Sequence, residues 1–371
     1  MAVESRESLV RKDLFNPDGG VKMAFLTTMM RLMFLTAAMA GALPASAQDY
    51  SLLNYTGPDR QQKLVAAAQK EGTFTLYTSI PASDTQALVA PFEKKYGIKV
   101  KLWRGSSVNV LQRTLAEAAG KRYEVDGIYT DFLKMEALYR EKILQPVTSP
   151  YFKDLIPGSV PAHREWAASM LSVWVHSYNT NLVKKEDLPK TYQDLLDPKW
   201  KGKLGIEAKI PEWYATVVTD MGEENGIRFF KNLVAGNGVS VRSGLSVLNN
   251  MVAAGDVPLA ITVFNYMPIG LKRDGAPIDW FALEPAVARA NGMGISRRAM
   301  HPNAAMLFYD YILTPEAQKL MVGLDFVPTN ASVASPMANV RLRLVDPVQV
   351  LDQIEKWTAS YDEVVLKGAK K

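Results

Sequence analysis

The chain has 371 residues and no cysteine. That excludes disulfides, thiolate metal sites, a cysteine nucleophile and a lipid-modified N-terminal cysteine. Histidine is almost as scarce: His163, His176 and His301 stand far apart in the sequence. Local catalytic signatures are also missing. There is no G-x-S-x-G, no H-E-x-x-H, no phosphate-binding loop, and no serine with a lysine three residues on. Gly236-Asn237-Gly238 and Gly292-Met293-Gly294 each hold two of the three glycines of a dinucleotide fingerprint, and neither has the third. Charge of one sign is not in large excess. Lys and Arg number 43 against 38 Asp and Glu, interspersed, a net of +5 that builds no basic stripe for nucleic acid. These absences point to a protein that is not an enzyme, with no catalytic residue, resident cofactor or metal site, and no nucleic-acid partner.

Apolar runs long enough to span a bilayer are lacking too, since a span needs about 20 residues. The most apolar stretch is residues 32–43 (LMFLTAAMAGAL), preceded by Lys22 and Arg31 and followed by Pro44 and Ala45-Ser46-Ala47. Positive charge, a short apolar run and an A-x-A site form the secretory pattern. Cleavage after Ala47 would leave Gln48 as the mature N-terminus and place the product in the periplasm. Residues 1–21 fit no export pattern, so translation is expected to begin at Met23, Met29 or Met30.

Beyond residue 48 the chain alternates helix and strand. Residues 59–71 read as an amphipathic helix stopped by Gly72, and residues 73–78 (TFTLYT) as a strand. Ser83 is placed to cap a helix over 84–96. A strand over 98–103 follows, then a helix capped by Ser106 or Ser107, a strand over 125–129 and a helix over 131–142. This order is the doubly wound parallel-sheet pattern. Prolines at 150, 157 and 161 mark a passage between units. A strand pair is expected near 169–178, further alternation over 191–264, two helices over 301–323 and another over 347–360. His301, before Pro302, reads as a helix cap, and Thr314 caps the helix that opens with Pro315.

Several strand ends carry polar groups. Thr78-Ser79 follows the first strand and Ser106-Ser107 the second, on the carboxyl edge where parallel sheets take ligands. Helix N-termini there present free N–H groups to an anion. The second half offers Glu207, Trp213 and Tyr214, Arg242 and Ser243, and Asn265-Tyr266. Arg242, between a strand and a helix, could grip a carboxylate or phosphate with both arms of its fork, or pair with an acid at the surface. Trp213 and Tyr214 could be core residues or a stacking wall. The candidate ligand-binding residues are therefore Thr78, Ser79, Ser106, Ser107, Glu207, Trp213, Tyr214, Arg242, Ser243 and Tyr266.

Five stretches resemble the periplasmic substrate-binding proteins of ABC importers, in the subgroup that takes iron(III), thiamine, phosphonates and sugar phosphates. They are residues 76–100, 105–130, 187–207 (DLPKTYQDLLDPKWKGKLGIE), 253–261 (AAGDVPLAI) and 301–320 (HPNAAMLFYDYILTPEAQKL). The resemblance implies a type II periplasmic-binding fold: two α/β lobes joined by hinge strands with a ligand cleft between them. One lobe would hold residues 48–147 and 283–330, the other 148–282, and residues 331–371 would form a C-terminal helical segment. The implied function is capture of a small ligand by a monomer and delivery to importer permease subunits. Iron-binding members use a histidine or carboxylate near the first strand and two adjacent tyrosines in the second lobe. Here the first loop is Thr78-Ser79-Ile80-Pro81, and the pair reads Asn265-Tyr266-Met267. Fe³⁺ wants several anionic oxygens. A small organic anion such as a carboxylate, phosphonate or sugar phosphate is therefore the expected ligand. The alternatives are ferric ion, or a receptor that presents its ligand to a sensor kinase.

Overall fold

The computed structural model of the protein describes residues 48–370. The expected export signal and cleavage site lie outside the described residues. The first lobe grows from three strands, β1 (Thr73–Thr78), β2 (Lys99–Arg104) and β3 (Gly127–Asp131), paired in parallel in the order β2-β1-β3. Between them run helices α1 (Arg60–Glu71), α2 (Ala82–Tyr96), α3 (Ser107–Ala119) and α4 (Phe132–Arg140). Gly72 and Gly97 end α1 and α2 in the left-handed conformation, each donating its N–H to a carbonyl of the last turn. Ser106 caps α3 through Asn109 N–H, as its position suggests, whereas Ser83 lies inside α2 and turns its hydroxyl to Asp84.

A short strand, β4 (Leu144–Gln145), leads to β5 (Trp166–Asn179), a single strand rather than the expected pair. Nothing in WAASMLSVWVHSYN supplies the Gly- or Asn-rich turn that a hairpin requires. All its 14 residues are buried, so both faces are covered. The passage 148–165 makes backbone hydrogen bonds to residues that both precede and follow it by long stretches of chain. Thr148 N–H donates to Leu53, Ile156 N–H to Thr329, and Asp154 accepts from Ala331.

The second lobe repeats the parallel plan with β6 (Leu204–Glu207), β7 (Ser240–Arg242) and β8 (Leu259–Phe264). Its helices are α5 (Pro211–Asp220), α6 (Glu223–Asn237), α7 (Leu245–Ala254) and α8 (Tyr266–Arg273). Strand β9 (Ile278–Phe281) precedes β10 (Ala286–Ser296), the second long crossing strand. α9 (Pro302–Leu313), α10 (Pro315–Gly323) and β11 (Val327–Pro328) return to the first lobe, and Thr314 caps α10 as expected. β12 (Leu342–Leu344), α11 (Pro347–Asp352) and α12 (Ile354–Tyr361) follow, and two short helical turns, Asp362–Leu366 and Gly368–Lys370, continue from α12.

β5 and β10 join the lobes. β10 pairs antiparallel with β3 on one side and β5 on the other, and β5 continues into antiparallel pairing with β8. The main sheet order is β2-β1-β3-β10-β5-β8-β6-β7. Asp126 clamps the first lobe. Its buried carboxylate accepts from the N–H groups of Thr75, Met300 and His301 and meets the His301 ring at 2.9 Å. His301 therefore occupies the cap position of α9 without capping it by its side chain, because Asp126 takes the ring.

Candidate ligand cleft

Each lobe presents the carboxyl ends of its parallel strands and the N-termini of the helices that follow. In the first lobe these ends are Thr78–Ser79, Gly105–Ser106 and Asp131. Thr78 is buried, with its hydroxyl accepting from Ile80 N–H, and Ser79 hydrogen-bonds Thr130 at 2.9 Å. Ser106 is exposed at the start of α3, next to Ser107. Asp131 caps α4 through Leu133 and Lys134 N–H. In the second lobe the ends are Glu207, Arg242–Gly244 and Asn265–Tyr266.

The two edges meet. The Glu212 carboxyl at the start of α5 lies within electrostatic reach of Asp131 and Lys134 from the first lobe and of Arg289 on β10. Burial raises its pKa and Arg289 opposes the rise. Burial likewise raises the pKa of the Tyr266 phenol, with Arg289 lowering it and Asp84 of α2 raising it from across the gap. Arg289 thus stands where both lobes and the hinge converge. Its guanidinium lies 4.3 Å from the Phe264 ring centroid and 6.0 Å from that of Trp174. Tyr266 stacks on Phe264 with ring centroids 5.8 Å apart. The Arg289 Nε is buried and has no hydrogen-bond partner. A charged donor left in this condition costs on the order of 1–3 kcal/mol or more, a cost that a ligand acceptor would remove.

Other sequence candidates serve the scaffold. Glu207 is buried and accepts from Gly244 and Lys209 N–H at 2.8 and 3.2 Å, a brace for the α7 N-terminus rather than an open carboxylate. Trp213 and Tyr214 are 1% and 0% exposed. They pack on Phe230, Trp357 and Tyr361, and Tyr214 hydrogen-bonds Ser360. They are core and not a stacking wall, because α5 turns its apolar face to α6 and α12. Arg242 directs Nε to the Met251 sulfur and Nη1 to the Val241 carbonyl, both within its own lobe, and Ser243 is exposed beside it.

Asn265 precedes Tyr266, where the resemblance implies a second tyrosine in iron-binding members. Its side chain accepts from Val173 N–H at 3.0 Å and donates to the Asp325 carbonyl at 2.6 Å, and it is fully buried. It extends the β8–β5 ladder by one side-chain pair. Among the described residues no three His, Asp or Glu side chains group to hold a metal ion.

Sequence reasoning missed Arg289, Glu212 and Asp131. Arg289 had a signal: a lone arginine in AVARANGMGIS, a strand otherwise built of small and apolar residues, sits where a hinge strand must be buried. Asp131 had the same strand-end position as Ser79 and Ser106. Glu212 had none beyond its place beside Pro211.

Comparison with known proteins bears on the family and the fold. The sequence model described as bacterial extracellular solute-binding protein matches residues 126–352. The chain is 24% identical over 330 residues to the Iron uptake protein A1 of Synechocystis sp., covering 83% of this chain and 90% of that one. Iron-bound HitA from Pseudomonas aeruginosa has a TM-score of 0.69 at 22% identity, covering 79% of this chain and 99% of the other. AfuA from Actinobacillus pleuropneumoniae, solved with fructose-6-phosphate bound, gives 0.65 at 21%, covering 80% and 99%. At such identities the structural likeness establishes the shared fold, a periplasmic-binding architecture with two lobes.

Proposed function

Since the chain belongs to the bacterial extracellular solute-binding proteins, whose model matches more than half of it, we propose that it is the exported receptor of an ABC importer. It captures a small anionic ligand between its lobes, returns it chemically unchanged and hands it to the permease subunits. Export would follow cleavage after Ala47.

The observation that carries the ligand class is Arg289. A half-buried arginine whose Nε is buried and unpartnered, set over the Phe264 ring and within electrostatic reach of Tyr266 and Glu212, is suited to a carboxylate or phosphate oxygen. Closing the lobes on such a ligand strengthens the contact by removing water. The open N–H groups at Ser106 and Ser107 would add donors from the first lobe, and Arg242 and Ser243 a second contact at the rim. Calorimetric titration with citrate, inorganic phosphate and glucose 6-phosphate tests this. Arg289→Gln should weaken whichever anion binds by roughly thirty- to several-thousand-fold, the effect of removing one member of a desolvated charge pair. Arg242→Ala should cost less. Equal affinity of wild type and Arg289→Gln for that anion would overturn the assignment.

A second reading is favoured by the relatives. Iron uptake protein A1 and iron-bound HitA are named for iron, and this cleft keeps one phenol, Tyr266, with Asp84 near it. One phenolate leaves most positions of a ferric ion to other oxygens, so this reading requires oxygens that the ligand itself carries. Ferric nitrilotriacetate titration followed in the visible region separates the two. A tyrosinate band at one iron per chain, lost in Tyr266→Phe, would establish the ferric reading and displace the anion.

A further inference from the structure

Adjacent residues of a strand face opposite sides of the sheet. Arg289 of β10 faces the cleft, and its neighbour Ala290 lines a cavity of about 720 Å³ on the other face of the hinge. That volume falls within the range of small-molecule sites, about 300–1,000 Å³. Phe132 at the start of α4, Trp166 of β5, Val160, Leu344 of β12 and Pro347 of α11 give it an apolar body, and Arg140, His163, Arg343 and Asp346 also line it. At its polar end is Glu136, 2% exposed.

Glu136 is a buried carboxylate with poor partners. His163 Nε2 stands at 3.3 Å, Trp166 Nε1 at 3.5 Å and Arg140 Nε at 3.5 Å, all at or beyond the long end of good hydrogen bonds. Burial alone would raise its pKa, yet the contacts with His163, Trp166 and Arg140 outweigh it and the group stays ionised more readily than a free glutamate. The imidazole is held in place. Its Nδ1 accepts the Glu165 N–H at 3.0 Å, which assigns the neutral ring's proton to Nε2, and the ring lies flat on Tyr139 at 3.6 Å. Arg140 is drawn away by Asp352 at 2.7 Å, with Arg343 and Asp346 at the mouth. An ionised carboxylate offers about four acceptor positions, and three long contacts leave it short of strong donors.

We propose that this cavity is a second ligand site, for a small organic cation whose ammonium meets Glu136 while its apolar body lies on Phe132, Trp166 and Leu344. The site is separate from the cleft and independent of what the cleft takes. The probes are 2-phenylethylamine and its neutral isostere 2-phenylethanol, titrated by calorimetry into the mature protein. The amine should bind at one per chain and at least tenfold more tightly than the alcohol. Glu136→Gln keeps the shape and should abolish that preference. Leu344→Trp fills the cavity without touching the carboxylate and should block both probes, with folding checked by circular dichroism. Absence of saturable amine binding, equal affinity for amine and alcohol in the wild type, or wild-type amine affinity in folded Leu344→Trp would each overturn the proposal.

Discussion

Replacing Asn265 probes the scaffold and the ferric reading together. In Asn265→Ala two partners lose their bonds: the Val173 N–H on the hinge strand and the Asp325 carbonyl. Val173 is fully buried, so water cannot replace the lost acceptor. An unsatisfied buried N–H costs about 1–3 kcal/mol, and the half-buried carbonyl of Asp325 loses about 1 kcal/mol more. The expected loss is therefore about 2–4 kcal/mol. With an unfolding entropy of about 2.1 cal/mol/K per residue over roughly 320 folded residues, melting should fall by about 3–6 °C in a reversible calorimetric scan. Asn265→Tyr rebuilds the adjacent tyrosines of the iron-binding members in sequence only. The new ring would have to occupy a position with no exposure, pointing at β5 and not at the cleft, so overpacking adds about 1–3 kcal/mol. This variant should melt below the alanine variant and give no visible band with ferric nitrilotriacetate. A charge-transfer band at one iron per chain, with melting near wild type, would refute the argument. So would an alanine variant within about 0.5 kcal/mol of wild type, the range of ordinary surface changes.

Three further outcomes are expected. His176 is buried between strands, stacked 5.1 Å from Phe281, with its pKa pushed down to about 3 by desolvation. Above pH 6.5 it is neutral in both states. As pH falls from 6.5 toward 3 the unfolded chain takes up a proton that the native chain refuses, so this group removes up to about 1.4 kcal/mol per pH unit. His176→Phe should flatten the urea-measured stability profile over that window; an unchanged slope would show that other groups set it. The buried Arg60–Asp310 pair ties α1 to α9, with Arg60 also donating to the Thr148 carbonyl at 3.1 Å. Arg60→Ala should cost about 3–5 kcal/mol by stranding Asp310, whereas Arg60→Met with Asp310→Leu should recover most of it; urea titration of both distinguishes the cases. Trp213→Ala, a core truncation, should cost about 3–5 kcal/mol of stability, and its cleft affinity should remain near wild type wherever it is folded. A selective loss of affinity with little loss of stability would return Trp213 to the binding surface.

The ligand question turns on the difference between shared fold and particular site. The overall chain path is that of proteins named for iron and of one solved with a sugar phosphate. One fold serves both, so the side chains at the meeting edges must discriminate. Around Arg289 those edges bring together the Tyr266 phenol and the carboxyl groups of Asp84, Asp131 and Glu212, of which Asp131 caps a helix.

Local order was legible in the chain itself. The apolar spacing of residues 60–71, the β-rich TFTLYT, the glycines that stop α1 and α2, and the caps Ser106 and Thr314 are short-range signals, and the elements form where those signals lie. The same signals imply a parallel sheet whose carboxyl edge is polar. They cannot report which of two adjacent strands pairs with which, or which side of a helix finds a partner. That β5 is one strand and not two is not legible locally, because full burial on both faces erases the alternation that marks a strand. Trp213 and Tyr214 looked equally fit for cleft or core until α6 and α12, contributed from 223–237 and 354–361, came to rest on them. Arg289 became a candidate only when β10 ran between the lobes, bringing Glu212, Tyr266 and Asp84 to one place from three separate parts of the chain. Helix and strand formation depends on neighbours a few residues away. A binding cleft depends on contacts among residues one or two hundred positions apart, and only the folded chain specifies those.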